Sequence, residues 1–227
     1  MQYVEFQKIV SIPRMSRYYH ACGNNSRKAM TLYRLNLRLS QEMFTVISCF
    51  EVALRNTIDH HYKRALGPNW LMDSVKPGGR FDNLNCETTA SSIRAVIEKL
   101  WPYHTHEKLV AELGFGFWRY MFSRHQYRAG GQTLLLVFSE LPSSTSGRQY
   151  NSIFIFKELA KTNQIRNRIA HHEAICFIPT LYVKSTEFTR QNYFRIIHLF
   201  KWLNINGNEL LHGLENVIGV CNRIDAL

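Results

Sequence analysis

Long apolar runs are scarce in this chain of 227 residues. The longest aliphatic run, Leu134 to Phe138, is far too short to span a bilayer, so we expect no transmembrane segment. The amino terminus has no uninterrupted apolar stretch either, because Glu5, Gln7 and Lys8 break it. A signal peptide is therefore not expected, and we predict a cytoplasmic protein.

Cysteines are few, odd in number and widely scattered. No pair of them has the spacing of a zinc finger, which argues against a structural metal and favours a reducing compartment. We accordingly expect no metal and no cofactor. The five are Cys22, Cys49, Cys86, Cys176 and Cys221.

Acidic residues are also under-represented, with 17 Asp and Glu against 28 Lys and Arg, a formal net charge of +11. Residues 1–66 carry 10 basic and 4 acidic side chains, whereas residues 67–150 carry 9 and 7 and residues 151–227 carry 9 and 6. Such an excess favours an anionic partner, with nucleic acid first and an acidic membrane second. The alternative is a basic surface that binds nothing in particular.

Strand-like alternation is nearly absent, and apolar residues instead recur at steps of three and four. This spacing predicts an all-α bundle, and the length allows one large domain or two small ones. Residues 174–184 are expected to be extended or irregular. Helices are predicted over 2–10, 14–22, from Ser26 through Leu37, from Ser40 to Gly67, 87–100, 151–172, 190–204 and 207–222.

Two further stretches invite a chemical interpretation. Gly114 and Gly116 lack the context of a phosphate-binding loop, and we expect them to let neighbouring backbones approach closely. His104, His106 and Glu107 lie close in sequence but have no third convergent ligand, so we predict a polar surface turn rather than a metal site.

The pattern Arg-Asn-x-Ile-x-His-His occurs twice, once at 55–61 and again at 166–172. In each copy the Asn and the first His are four residues apart and share a helix face. Arg166 and His171 are five apart, about 140° around the axis, so they flank a groove that a second helix must complete. Glu51 lies one turn before Arg55, and their predicted ion pair either is solvated or orients Arg55.

These residue types suit metal-independent RNA cleavage. The 2′-hydroxyl attacks the neighbouring phosphate, which requires a base for its proton and an acid for the leaving 5′-oxygen. Histidine serves either role near neutral pH, and arginine offers donors to the phosphorane oxygens as their charge grows. DNA lacks the 2′-hydroxyl and would be rejected.

Other interpretations of the two motifs stay open. The second motif is alternatively a basic, solvated helix end with structural histidines, and residues 55–61 alternatively support the fold or contact RNA. A metal site of His171, His172 and Glu173 is disfavoured, because adjacent histidines point to different helix faces.

Four features occur along the chain in the order Glu51-Val-Ala-Leu-Arg55-Asn56, Gly67-Pro-Asn-Trp70, Phe115-Gly116-Phe117-Trp118 and Ile165-Arg-Asn-Arg-Ile-Ala-His-His172. Over roughly residues 14–180 these features resemble the Abi-like (abortive infection) family of bacterial HEPN ribonucleases. This resemblance implies a single domain over residues 1–227, an all-helical HEPN-type bundle with the helices of 190–222 packed on it, a metal-independent endoribonuclease toxin, and a role in antiphage defence.

The resemblance also implies roles for single residues. It matches Arg166, Asn167 and His171 to the catalytic motif. A second catalytic or RNA-binding group is expected at Glu51, Arg55, Asn56 and His60, and further RNA contacts are expected at Lys161, Arg168 and His172.

Several partners follow from the same resemblance. We expect RNA as substrate, a regulatory small RNA or an antitoxin as regulator, and no membrane. The two catalytic motifs would meet either in a homodimer or by pairing within one chain. The alternative function is a non-catalytic RNA-binding regulator or an antitoxin-associated partner.

Overall fold

The computed structural model describes all 227 residues and contains α-helices and two short 3-10 helices, but no β-sheet. The predicted all-α class is confirmed. None of the helices is both long enough and apolar enough to cross a membrane. The helices are α1 (Tyr3–Val10), α2 (Ile12–Ala21), α3 (Ser26–Leu66), α4 (Trp70–Ser74), α5 (Glu87–Leu100), α6 (His106–Glu112), α7 (Phe115–Tyr120), α8 (Arg124–Ala129), α9 (Ser152–Ala170), α10 (Glu187–Trp202), α11 (Gly207–Leu210) and α12 (Val217–Asp225), with 3-10 helices at Leu84–Cys86 and Leu134–Val137.

Helix α3 is continuous over 41 residues, where the sequence suggested two helices meeting near Ser40. The stretch contains no glycine or proline, so nothing in the backbone interrupts it. It ends where predicted, at Gly67, whose φ of 99° is the left-handed conformation typical of a residue that follows a helix. The helix buries an apolar stripe along its length, including Leu39, Met43, Phe50, Leu54 and Ile58.

Helix α9 carries the second motif at its carboxyl end. Asn151 caps its amino end, because the side-chain oxygen accepts a hydrogen bond from the Phe154 amide at 3.0 Å. Ile155, Leu159 and Ile165 are fully buried. With this stripe in the core, the opposite face of the helix is left to solvent.

Two local predictions are wrong. Residues 207–222 do not form one helix, because α11 ends at Leu210 and α12 begins at Val217. Gly114 and Gly116 are not sites of close backbone approach, since a methyl group built on either would meet no atom within 4 Å. The aromatic residues around them, Phe115 and Trp118, pack in the core.

The chain divides into two compact units. The first comprises residues 1–48, 164–198 and 207–227, and the second comprises residues 49–163 and 199–206. The motif at 166–172 therefore belongs to the first unit and the motif at 55–61 to the second. The single domain expected over residues 1–227 stays a prediction.

Candidate functional site

Helix α9 ends in a tight hydrogen-bonded turn that presents the paired histidines. The Glu173 amide donates to the Arg168 carbonyl at 2.8 Å, and the His172 amide donates to the Ile169 carbonyl at 3.0 Å. These are the two bonds of a Schellman motif, with His172 in the left-handed conformation at φ 56°. The turn follows the end of helix α9 at Ala170 and leaves both His171 and His172 exposed.

Both histidines line an open cavity of about 810 Å³ in the first unit. Asn167 shares its wall with His171, as expected for residues four apart on one helix face. Helix α2 contributes Arg14 and Arg17 to the lining, three residues apart on the same helix. The cavity therefore gathers two imidazoles, the amides of Gln164 and Asn167, the Glu173 carboxylate and, with Arg168, three guanidinium groups.

Arg168 holds the turn at the helix end. Its guanidinium donates to the Ala174 carbonyl at 2.9 Å and forms an ion pair with Glu173 at 3.2 Å. It also lies 5.1 Å from the centre of the Phe188 ring, and its side chain is only 12% exposed. The predicted RNA contact of Arg168 thus involves a side chain that already has intramolecular partners.

Arg17 is similarly engaged. Its guanidinium donates to the Leu181 carbonyl and lies 4.2 Å from the centre of the Phe177 ring. By contrast, the exposed Arg14 makes a single long hydrogen bond, from Nη1 to the His172 carbonyl at 3.4 Å. Arg14 is the cavity arginine whose donors are most available to an anion.

A short hairpin after the turn forms another wall of the cavity. Its only bridge pairs Phe177 with Lys184, so the expectation of extended or irregular backbone over 174–184 is met. The buried Asn36 side chain anchors the start of this segment by accepting hydrogen bonds from the amides of Ile175 at 2.9 Å and Cys176 at 3.3 Å. Thr189 donates to the Ile175 carbonyl at 2.6 Å, which adds a second anchor to the start of this segment.

Arg166 has a different environment from the other two residues of the predicted catalytic set. It does not line the cavity, it is half-buried, and its Nε is buried without a hydrogen-bond partner. The helix period explains the separation, because adjacent residues are about 100° apart around the axis. Within one chain the cavity brings together Asn167 and His171 but not Arg166.

The motif at 55–61 has the same internal arrangement in the second unit. Asn56, His60 and His61 line a cavity of about 540 Å³, and Arg55 does not. Burial lowers the pKa of His61, and the nearby Arg64 lowers it further. The His61 Nε2 is 2.9 Å from the Thr133 hydroxyl. Each copy of the motif therefore lines a cavity within its own unit.

The expected ion pair between Glu51 and Arg55 does not form. The Arg55 guanidinium instead donates from Nη1 to the Ala111 carbonyl at 3.3 Å. Lys161, predicted to contact RNA, lies in the second unit and pairs with Glu158 at 2.6 Å. Neither Glu51 nor Lys161 lines the cavity of His171.

His106 is buried, which corrects the prediction of a polar surface turn. Its Nε2 is 2.6 Å from Asp59, which also accepts from the Trp70 indole at 2.8 Å and pairs with Lys63 at 3.0 Å. Burial opposes ionisation of Asp59, but the hydrogen bonds from His106, Trp70 and Lys63 outweigh it and lower its pKa. Asp59, within the first motif, therefore has a structural role.

Metal ligands and the Cys176 thiol are two further groups to consider as reactive centres. No group of three or more His, Cys, Asp or Glu residues is arranged to hold a metal ion. Cys176 directly precedes the hairpin, and burial raises the pKa of its thiol to about 12. That thiol stays protonated at neutral pH and is a poor nucleophile.

Sequence reasoning missed the arginines of helix α2. The available signals were the basic excess of residues 1–66 and the three-residue spacing of Arg14 and Arg17. Neither signal relates them to His171, more than 150 residues later in the chain.

Comparison with protein-family models, with curated proteins and with solved structures finds no match to this chain.

Proposed function

We propose that the protein is a metal-independent endoribonuclease of the HEPN type, acting in the cytoplasm in antiphage defence. The observation that carries the proposal is the cavity that His171, His172, Asn167 and Arg14 line together. Imidazoles next to guanidinium groups combine proton transfer with binding of a phosphate. The resemblance in the order of sequence features supports the same reaction and the HEPN arrangement of helices.

In the proposed reaction a neutral imidazole takes the proton of the ribose 2′-hydroxyl. The 2′-oxygen then attacks phosphorus, the bond from phosphorus to the 5′-oxygen breaks, and a 2′,3′-cyclic phosphate forms. A protonated imidazole gives its proton to the departing 5′-oxygen. We assign one of these proton transfers to His171, and Asn167 binds the phosphate or orients the imidazole without adding charge.

A second copy of the chain is proposed to complete the site. The cavity of His171 contains neither Arg166 nor any residue of the 55–61 motif. Arg166 is half-buried and lies outside this cavity, and in a homodimer its guanidinium would be a donor for the phosphate held by the partner. A non-catalytic RNA-binding protein, the rival function, would use the same basic cavity without needing Arg166.

RNA cleavage in the presence of EDTA tests the proposal. Purified protein is incubated with RNA, and the product ends are identified by mass spectrometry. We expect 2′,3′-cyclic phosphate and 5′-hydroxyl ends, and no cleavage of a substrate with a 2′-deoxyribose at the cut position. Tight, salt-sensitive binding without turnover would instead establish the rival function.

Arg14→Ala is expected to lower kcat/KM for RNA cleavage about a hundredfold, because it removes the most available donors to the phosphate charge that grows in the transition state. Arg14→Lys should recover only part of the loss, since an ammonium group lacks the planar fork of guanidinium. Arg27→Ala, which removes another exposed arginine of the same unit outside the cavity, is the control. Equal effects of Arg14→Ala and Arg27→Ala would mean that only net charge matters.

A further inference from the structure

The tip of the hairpin between Phe177 and Lys184 exposes large apolar side chains to solvent. Leu181 is 50% exposed and Tyr182 is 67% exposed. Both residues line the same cavity as His171 and Arg14. Proteins bind single-stranded nucleic acid with this combination: a solvent-exposed aromatic ring stacks on a base, and neighbouring guanidinium groups bind the phosphates.

Arg17 holds this ring in place. Its guanidinium lies 5.4 Å from the centre of the Tyr182 ring and donates to the backbone carbonyl of Leu181, the preceding residue. The Ile178 amide donates to the Val183 carbonyl at 3.0 Å, which closes the tip of the hairpin. A ring with such a contact loses less conformational entropy when a ligand stacks on it than a ring with none.

We propose that Tyr182 is a stacking platform for an unpaired nucleobase next to the phosphate bound in the cavity, so that the protein selects single-stranded RNA. This inference rests on the proposed function. A cavity of about 810 Å³ has room for more than a phosphate, and falls within the ~300–1,000 Å³ typical of small-molecule sites. In a duplex the faces of the bases are covered by their neighbours, so only an unpaired base can reach the ring.

Binding of a short single-stranded RNA oligonucleotide and of its blunt duplex, measured by fluorescence anisotropy, tests the inference. Every protein carries His171→Ala so that the RNA stays intact. We expect Tyr182→Ala to weaken single-strand binding about tenfold and duplex binding less than about twofold, as for loss of one stacked base. Tyr182→Phe keeps the ring and should bind like the protein with Tyr182.

Tyr103→Ala is the matched control, because Tyr103 is a 78% exposed tyrosine in the other unit. Unchanged single-strand affinity in Tyr182→Ala, or an equal loss for the duplex, would overturn the inference. Conversion of a dimer to a monomer by Tyr182→Ala would also overturn it, because the hairpin would then be a subunit contact.

The inference and the proposed function fail in different ways. If the single strand binds through Tyr182 but the protein with its native His171 never cleaves RNA, the platform stands and the nuclease assignment falls. If cleavage occurs and Tyr182→Ala binds normally, the nuclease assignment stands alone. Absence of any RNA binding overturns both.

Discussion

His171→Ala is expected to reduce the rate of RNA cleavage about a thousandfold or more. Removing the imidazole takes away one proton transfer in the transition state, an effect typically of about 10²–10⁴. The fold should not change, because the His171 side chain is exposed and its backbone amide still donates to the Asn167 carbonyl. Single-turnover rates in EDTA give the effect, and circular dichroism checks the helical content.

Two further variants separate chemistry from structure at this helix end. His172→Gly suits the left-handed backbone at φ 56°, so any loss of affinity reports the imidazole and not the turn. His212→Ala removes an exposed histidine of the same unit outside the cavity and should cleave normally. Undiminished cleavage by His171→Ala would remove the basis of the nuclease proposal.

Asp59→Ala is expected to lower the free energy of unfolding by about 3–5 kcal/mol, the range for breaking a buried ion pair. The carboxylate accepts hydrogen bonds from two buried donors, the Trp70 indole and the His106 Nε2. Without it both donors stay buried with no acceptor, at about 1–3 kcal/mol each. Urea unfolding followed by tryptophan fluorescence measures the change.

Asp73→Ala provides the comparison for this variant. Asp73 pairs with Lys76 at 2.7 Å, but both side chains are more than half exposed, so the expected loss is below about 1 kcal/mol. A similar small loss for Asp59→Ala would show that the buried cluster contributes little to stability.

The Asp59 cluster also predicts a pH dependence. The pKa of Asp59 is lower in the folded state than its ordinary value of 3.8. Its stabilising contribution is therefore complete above that value and is lost as the pH falls through the folded-state pKa. The unsubstituted protein should have a larger free energy of unfolding than the Asp59→Asn variant at neutral pH. This difference should shrink as the pH is lowered below about 4. A difference that grows in acid would contradict the lowered pKa.

Much of the helical structure was predictable from local signals. Helix α5 begins at Glu87 and ends at Leu100, as the apolar spacing and the following Trp101-Pro102 indicated. The unbroken helix α3 was missed because a polar stretch around Ser40 resembles a boundary, although no residue there interrupts the backbone. Such errors arise where packing, not propensity, decides whether a helix continues.

The candidate site was predictable only in part. Asn167 and His171 share a wall of the cavity because the helix period alone places residues four apart on one face. Arg166 was expected in the same groove, but its side chain leaves the helix in another direction and does not line the cavity. Side-chain direction thus limits what a short motif can specify.

The sequence by itself determined the helical class, the basic character and the pairing of Asn with His on one face, because each depends on residues within a few turns of each other. Only the tertiary structure decided that Arg14 and Tyr182 border His171 and that Asp59 is bound to His106. These side chains meet through packing of distant segments, and the local periodicity of the sequence carries no information about such contacts.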